Sequence, residues 1–231
     1  MVSNTCNEER LLMRFTSCIA LVLLALTAFP QTIEESKSHN PRVLWEPPDW
    51  SVPQNVKANV QNEMLSSFRV SSYEIILERT SMEEAQQRLG GQIGSREGDA
   101  LEWLCFHGAN EMGGWVLWLE NDEISEGLVG SFQWWQLSKN DVLDPRCQAL
   151  RKEDSMITLP LPSFTLGATQ SQVLKSLGSP TARDSERLIY LHAHEVGGAR
   201  GGDPFISSNI VAVHLRNGIV WAIQVSKTTS D

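Results

Sequence analysis

The chain has 231 residues, 41% of them hydrophobic and 20% charged, with a formal net charge of −9 at neutral pH. That length holds two small domains or one larger one, and the composition is globular. The acidic balance excludes a protein that wraps a nucleic-acid backbone, which needs clustered Lys and Arg to displace counterions, and leaves a basic protein partner or a plainly solvated surface as readings of the charge.

An apolar run from Cys18 to Phe29 follows Arg14. It is shorter than the roughly 20 residues a membrane helix needs, and it suits the hydrophobic region of a cleavable signal over residues 1–28. Leu26 and Ala28 stand where a signal peptidase reads, and Met13-Arg14 is a cleaner start than the acidic residues before it. The expectation is an exported, periplasmic protein with no stable membrane span; an uncleaved anchor is the alternative. Export would remove Cys6 and Cys18 and leave Cys105 and Cys147, an even pair suited to a disulfide in an oxidising compartment, or else two buried thiols.

Residues 29–53 form a polar tether in which Pro41, Pro47, Pro48 and Pro53 oppose regular structure. Trp45 and Trp50 are expected to lie against the folded body, because two indoles left in water would waste apolar area. Val56, Val60, Met64 and Phe68 recur at helical spacing, so a short amphipathic helix over Gln54–Phe68 is predicted to lead a first unit that runs to residue 145. Residues 146–231 form the second unit. Ser81-Met-Glu-Glu-Ala-Gln-Gln-Arg-Leu-Gly90 and Thr169-Gln-Ser-Gln-Val-Leu-Lys-Ser-Leu-Gly178 each place a capping hydroxyl three residues before Glu84 or Gln172 and stop on a glycine. These segments, and Gln136-Leu-Ser-Lys139 against Gln224-Val-Ser-Lys227, are 88 positions apart (169 − 81 and 224 − 136). The pattern predicts an α+β fold of two tandem repeats, each a capped helix packed on a three- or four-stranded antiparallel sheet.

In the first repeat an extended segment, 70–77, precedes the helix, and strands follow at 100–107, 114–120 and 129–138. In the second the corresponding segment is 156–164 and the strands are 187–195, 209–216 and 219–227, with Asn217-Gly218 as a tight hairpin turn. Alternation puts Leu191, Ala193, Val211, Val213, Leu215, Ile223 and Val225 on the helix-packed face. The 88-residue register adds Leu104, Phe106, Trp115, Leu117, Leu119, Trp135 and Leu137 from the first repeat. The other face then carries Trp103, Trp118, Trp134 and Gln136 with Tyr190, His192, His194, His214 and Gln224. So aromatic a surface is expected either to bind a protein or to be covered by the other repeat, the N-terminal segment or a dimer mate.

His192, His194 and His214 are candidate zinc ligands and the basis of a metallohydrolase alternative; scattered rim histidines are the plainer reading, because no carboxylate or cysteine completes the set. The glycine-rich stretch from Gly197 to Asp203 lacks the Lys-Ser/Thr ending of a phosphate loop, and Gly94-Ser-Arg-Glu-Gly98 is not a Gly-x-Ser-x-Gly elbow. No catalytic residue and no cofactor is assigned.

Leu166-Gly-Ala-Thr-Gln-Ser-Gln-Val-Leu-Lys-Ser-Leu-Gly-Ser-Pro-Thr181, followed by the Tyr190 strand and the Asn217-Gly218 hairpin, resembles the unit found in outer-membrane assembly lipoproteins of the SmpA/OmlA type and, as a tandem pair, in the β-lactamase inhibitory protein family. The first unit departs from that pattern, with Arg79-Thr-Ser81 in place of Leu-Gly-x-Thr and Gly90-Gly91 in place of Gly-x-Pro. The resemblance implies an aromatic sheet that grips an enzyme, with Trp103, Trp118, Trp134 and Tyr190 in the grip. Cys18 stands at the start of the apolar run instead of closing it, which counts against a lipoprotein. The expected function is a non-enzymatic periplasmic inhibitor or immunity-type protein that neutralises an enzyme or toxin through Trp103, Trp118, Trp134, Gln136, Tyr190, His192 and His214. An envelope-assembly or scaffolding factor is the alternative.

Overall fold

A computed structural model describes residues 42–52, 56–58, 63–98, 100–121, 124–125, 127–151, 156–161, 163–197 and 205–230; the expected signal lies outside them. In chain order the elements are β1 (Arg42–Leu44), β2 (Ser67–Val70), β3 (Tyr73–Ile76), α1 (Met82–Leu89), β4 (Ile93–Ser95), β5 (Glu102–Asn110), β6 (Gly113–Asn121), β7 (Ser131–Gln136), β8 (Asp141–Leu143), β9 (Gln148–Ala149), β10 (Ile157–Thr158), α2 (Gln170–Leu177), β11 (Ala182–Arg183), β12 (Arg187–Val196), β13 (Phe205–Arg216) and β14 (Ile219–Ser230). Strands make up 51% of the structure and helices 10%, so the fold is predominantly β and the expected α+β class is wrong. In place of two helix-capped repeats with separate sheets stands one nine-stranded sheet, ordered β11-β12-β13-β14-β7-β6-β5-β4 with β9 beside β5. Pairing of β7 with β14 fuses the two sheets into one.

Both expected helices do form. Ser81 Oγ accepts from the Glu84 N–H at 3.0 Å, Thr169 completes a capping box with Gln172, and Gly90 and Gly178 stop the helices at φ 81° and 77°. Eight-residue helices are marginal alone in water, so burial of Met82, Ala85 and Val173 in the sheet's main core holds them. The helix expected over Gln54–Phe68 is absent from its described part, and Val60 lies outside the described residues. Phe68 instead enters β2, which pairs with β3 and β10, and the N–H groups of Met64 and Leu65 donate to Asn209 Oδ1 at 3.2 and 3.3 Å. Contacts from a distant strand replace the hydrogen bonds a helix would have made.

The register of the central seam explains why several side chains face opposite to expectation. Met82 N–H donates to Gly127 O, and Gln170 N–H to Gly218 O. The donors are 88 residues apart (170 − 82) but the acceptors are 91 apart (218 − 127), so Gln224 corresponds to Gln133, with which it pairs, and not to Gln136. An odd shift inverts the faces of a strand. Trp134 therefore joins Phe132 in the helix-side core, while Trp135 and Leu137 pack on the other side, the reverse of the expected assignment.

On β12 the faces are also reversed: Leu188 and Tyr190 lie in the helix-side core. Leu188, Ile189 and Tyr190 are all at most 1% exposed, so this strand is apolar on both faces and alternation could not choose between them. A second core of Leu44, Trp45, Trp103, Cys105, Val116, Trp118 and Cys147 forms on the face away from the helices. Cys105 and Cys147 stand there at disulfide distance, with Cα atoms 4.6 Å apart. Among the described residues no helix is long and apolar enough to cross a membrane.

Candidate functional site

Residues 42–52, expected to be an irregular tether, form a strap over the sheet face away from the helices. Its first residues are β1, paired in parallel with β8. Trp45 is 8% exposed and meets Trp103 edge-on at 5.8 Å, beneath the Arg146 guanidinium at 4.3 Å. The Trp118 indole donates to Trp45 O at 3.0 Å, the Gln133 amide to Pro48 O at 2.8 Å and Arg187 to Ser51 O at 3.0 Å. The strap is thus fastened across both halves of the sheet. Trp103 and Trp118 are fully buried, mainly by this segment and the core it closes.

The seven residues expected to make one partner surface do not share a face. Trp103, Trp118 and His214 lie on the strap side. Trp134 and Tyr190 are buried in the helix-side core, and Gln136 Nε2 donates to Met112 O and Gly114 O at 3.2 and 2.7 Å. Burial pushes the Tyr190 hydroxyl up to about 12, and it donates to Gly178 O at 3.2 Å. His192 and His194 stand side by side, Nε2 to Nδ1 3.1 Å, on the face away from His214, so the three candidate zinc ligands are not brought together.

A different constellation remains partly open on the strap side. Opposite β13, His214 pairs with Ala222 and Leu215 with Val220, which leaves Trp221 as the extra residue of a β-bulge. A bulge turns a side chain away from the face that alternation assigns it. Trp221 therefore reaches the strap side, where it meets Trp135 edge-on at 5.0 Å and His214 at 5.6 Å. All three are half-buried. Arg42 lies 5.4 Å over the Trp135 ring and Arg216 4.7 Å over that of Trp221, each in cation–π range. A cavity lined by Ser185, Glu186, Leu215, Arg216, Asn217 and Trp221 opens beside them. Trp135 Nε1 has no hydrogen-bond acceptor among the described residues.

Hydrogen bonds link this patch to the strap in one direction. A proline carbonyl only accepts, so Gln133 presents its amide nitrogen to Pro48 and its oxygen to the Gln224 amide, 2.6 Å away. Gln224 must then present its oxygen to His214, whose Nε2, 2.5 Å away, carries the hydrogen. Burial holds His214 below its usual pKa, opposed by the bond to Gln224, so at neutral pH the ring is uncharged with Nδ1 as its acceptor.

Sequence reasoning placed Trp135 in the helix-side core and overlooked Trp221, Arg42, Arg216 and Gln133. One signal was available: the run Ile219-Val220-Trp221-Ala222-Ile223 is apolar throughout and so breaks alternation, as a bulge does. Comparison with known proteins finds no matching family model, no similar curated protein and no similar solved structure.

Proposed function

We propose that this chain is an exported protein-binding module of inhibitor or immunity type, which neutralises an enzyme or toxin in the bacterial periplasm through Trp135, Trp221 and their flanking arginines. The observation that carries the reading is the outward placement of Trp221 by the bulge, against a second half-buried indole. Trp and Arg dominate binding hot spots because they combine large apolar area with directed polar groups. Two of each converge here. Export rests on the apolar run after Arg14, and the inhibitory role on the resemblance to tandem inhibitory proteins. The grip assigned to Trp103 and Trp118 passes to Trp135 and Trp221, since the strap covers the first two.

The test presents wild type and a Trp135→Ala/Trp221→Ala variant of verified fold to native envelope extract, then assays each retained enzyme with and without the protein. One enzyme held and inhibited by wild type, and at least tenfold less by the variant, supports the reading. Equal retention by both proteins, or by neither, removes it.

A further inference from the structure

β5 and β12 each lie second from an end of the large sheet, and their outer edges are filled differently. On β5, β4 covers Glu102–Leu104 and β9 continues along the same edge in parallel, pairing Gln148 with Phe106 and Ala149 with His107. Leu150 N–H then donates to His107 O at 2.9 Å. On β12, β11 covers only Leu188 and Ile189. Thr181 N–H donates to Ile189 O at 2.8 Å and its hydroxyl accepts from Leu191 N–H at 2.9 Å. These bonds show that the backbone polar groups of Ile189 and Leu191 point outward, so by alternation those of Ala193 and Glu195 do too. β13 pairs with the inner edge of β12 as far as Val196, but among the described residues no strand pairs with the outer edge at Ala193 or Glu195, and Ala193, His194, Glu195 and Val196 are all exposed. An edge of this kind is a template for a further strand.

We propose that the β12 edge from Leu191 to Glu195 accepts an extended, basic segment of another polypeptide as an added parallel strand. Its direction follows from β9, which shows how this sheet completes the corresponding edge of β5. Its charge follows from the surroundings: β9 stands between Arg146 and Arg151 in a chain of net charge −9, and the open edge ends on the exposed Glu195. The segment is not the β9 of a second copy, because Cys147 beside β9 stands at disulfide distance from Cys105 of β5, which holds β9 at its own edge. This inference is independent of the Trp135–Trp221 patch.

The test uses the intact protein and a labelled peptide reproducing residues 144–151 with serine for Cys147, beside a copy in which Arg146 and Arg151 are glutamate. The basic peptide is expected to slow amide exchange at Ala193 and Glu195 at least tenfold, and the acidic copy to bind at least tenfold more weakly. Ala193→Pro deletes an outward N–H without touching the β13 ladder and is expected to cut affinity at least tenfold, whereas Ala193→Val, which keeps the N–H, binds as wild type. Unchanged exchange at these two amides under millimolar peptide overturns the proposal, whatever the variants do. So does equal binding by a folded Ala193→Pro, or a wild-type dimer that Ala193→Pro abolishes, which would give the edge to a second copy.

Discussion

Gln133 and Gln224 meet across the β7–β14 seam, each at most 1% exposed, and the Gln224 amide donates to Gln133 Oε1. Neither amide has water to fall back on. Gln133→Leu alone strands the Gln224 amide and Pro48 O, with an expected loss of about 1–3 kcal/mol. Gln133→Leu/Gln224→Leu together is expected to lose less than the two single losses added. Urea titrations in a double-mutant cycle measure the coupling, and strictly additive losses would show that the amides act separately.

Burial lowers the pKa of both His214 and His107 in the folded protein. Unfolded imidazoles titrate near ~6.5, so below that pH the unfolded chain takes up protons first and gains on the folded one. Stability from these groups is fully present above the unfolded value and declines as the pH falls toward the folded one. The urea midpoint is therefore expected to be lower at about pH 5 than at about pH 8, and His214→Gln to reduce the difference. A variant with the full wild-type difference would place the effect on other groups.

The strap is fastened more by burial than by charge. Trp45→Ala is expected to cost about 3–5 kcal/mol and to admit water to Trp103 and Trp118, read as a red shift in tryptophan emission. Arg96 meets Glu46 and Asp49 at 3.4 and 3.3 Å, but those carboxylates are 53% and 86% exposed. Arg96→Ala should leave the urea midpoint unchanged within error. A large effect of Arg96→Ala with none from Trp45→Ala would reverse this ranking.

Cys105 and Cys147 are 42 residues apart, and a bond between them limits the unfolded chain by roughly 4 kcal/mol in the chain-entropy account. Cys105→Ser/Cys147→Ser, or wild type under reductant, is expected to lose about that much, and an unshifted urea midpoint on reduction would show that the thiols are not joined.

Gly94 faces Trp103 across the β4–β5 pair, and a Cβ at that position would run into the indole. The ring is fully buried and has nowhere to go. Gly94→Ala is expected to cost about 1–3 kcal/mol by overpacking, checked by thermal or urea unfolding, and a neutral result would mean that β4 shifts freely on β5.

The helices were legible because Ser81, Gly90, Thr169 and Gly178 act on their own neighbours, so local sequence carries the whole signal. The seam was not, because its register is set by hydrogen bonds from the helix starts to Gly127 and Gly218, while a chance likeness between Gln136 and Gln224 suggested another alignment three residues away. That slip is why Trp134 and Trp135 exchanged faces. The β12 faces were hidden for another reason, since buried apolar residues on both sides erase the alternation. Packing of Trp45 against the body was readable from the cost of an indole in water, but its choice of Trp103 and Trp118 as partners required the fold. Trp221 depends on a bulge that one sequence marks only by an unbroken apolar run.

β14, late in the chain, lies in the middle of the sheet between β13 and β7. A growing chain therefore exposes the inner edge of β7 until residues 219–230 arrive, and the β7–β14 seam that joins the two halves of the sheet waits on contacts between distant segments. Such a chain cannot complete its core early.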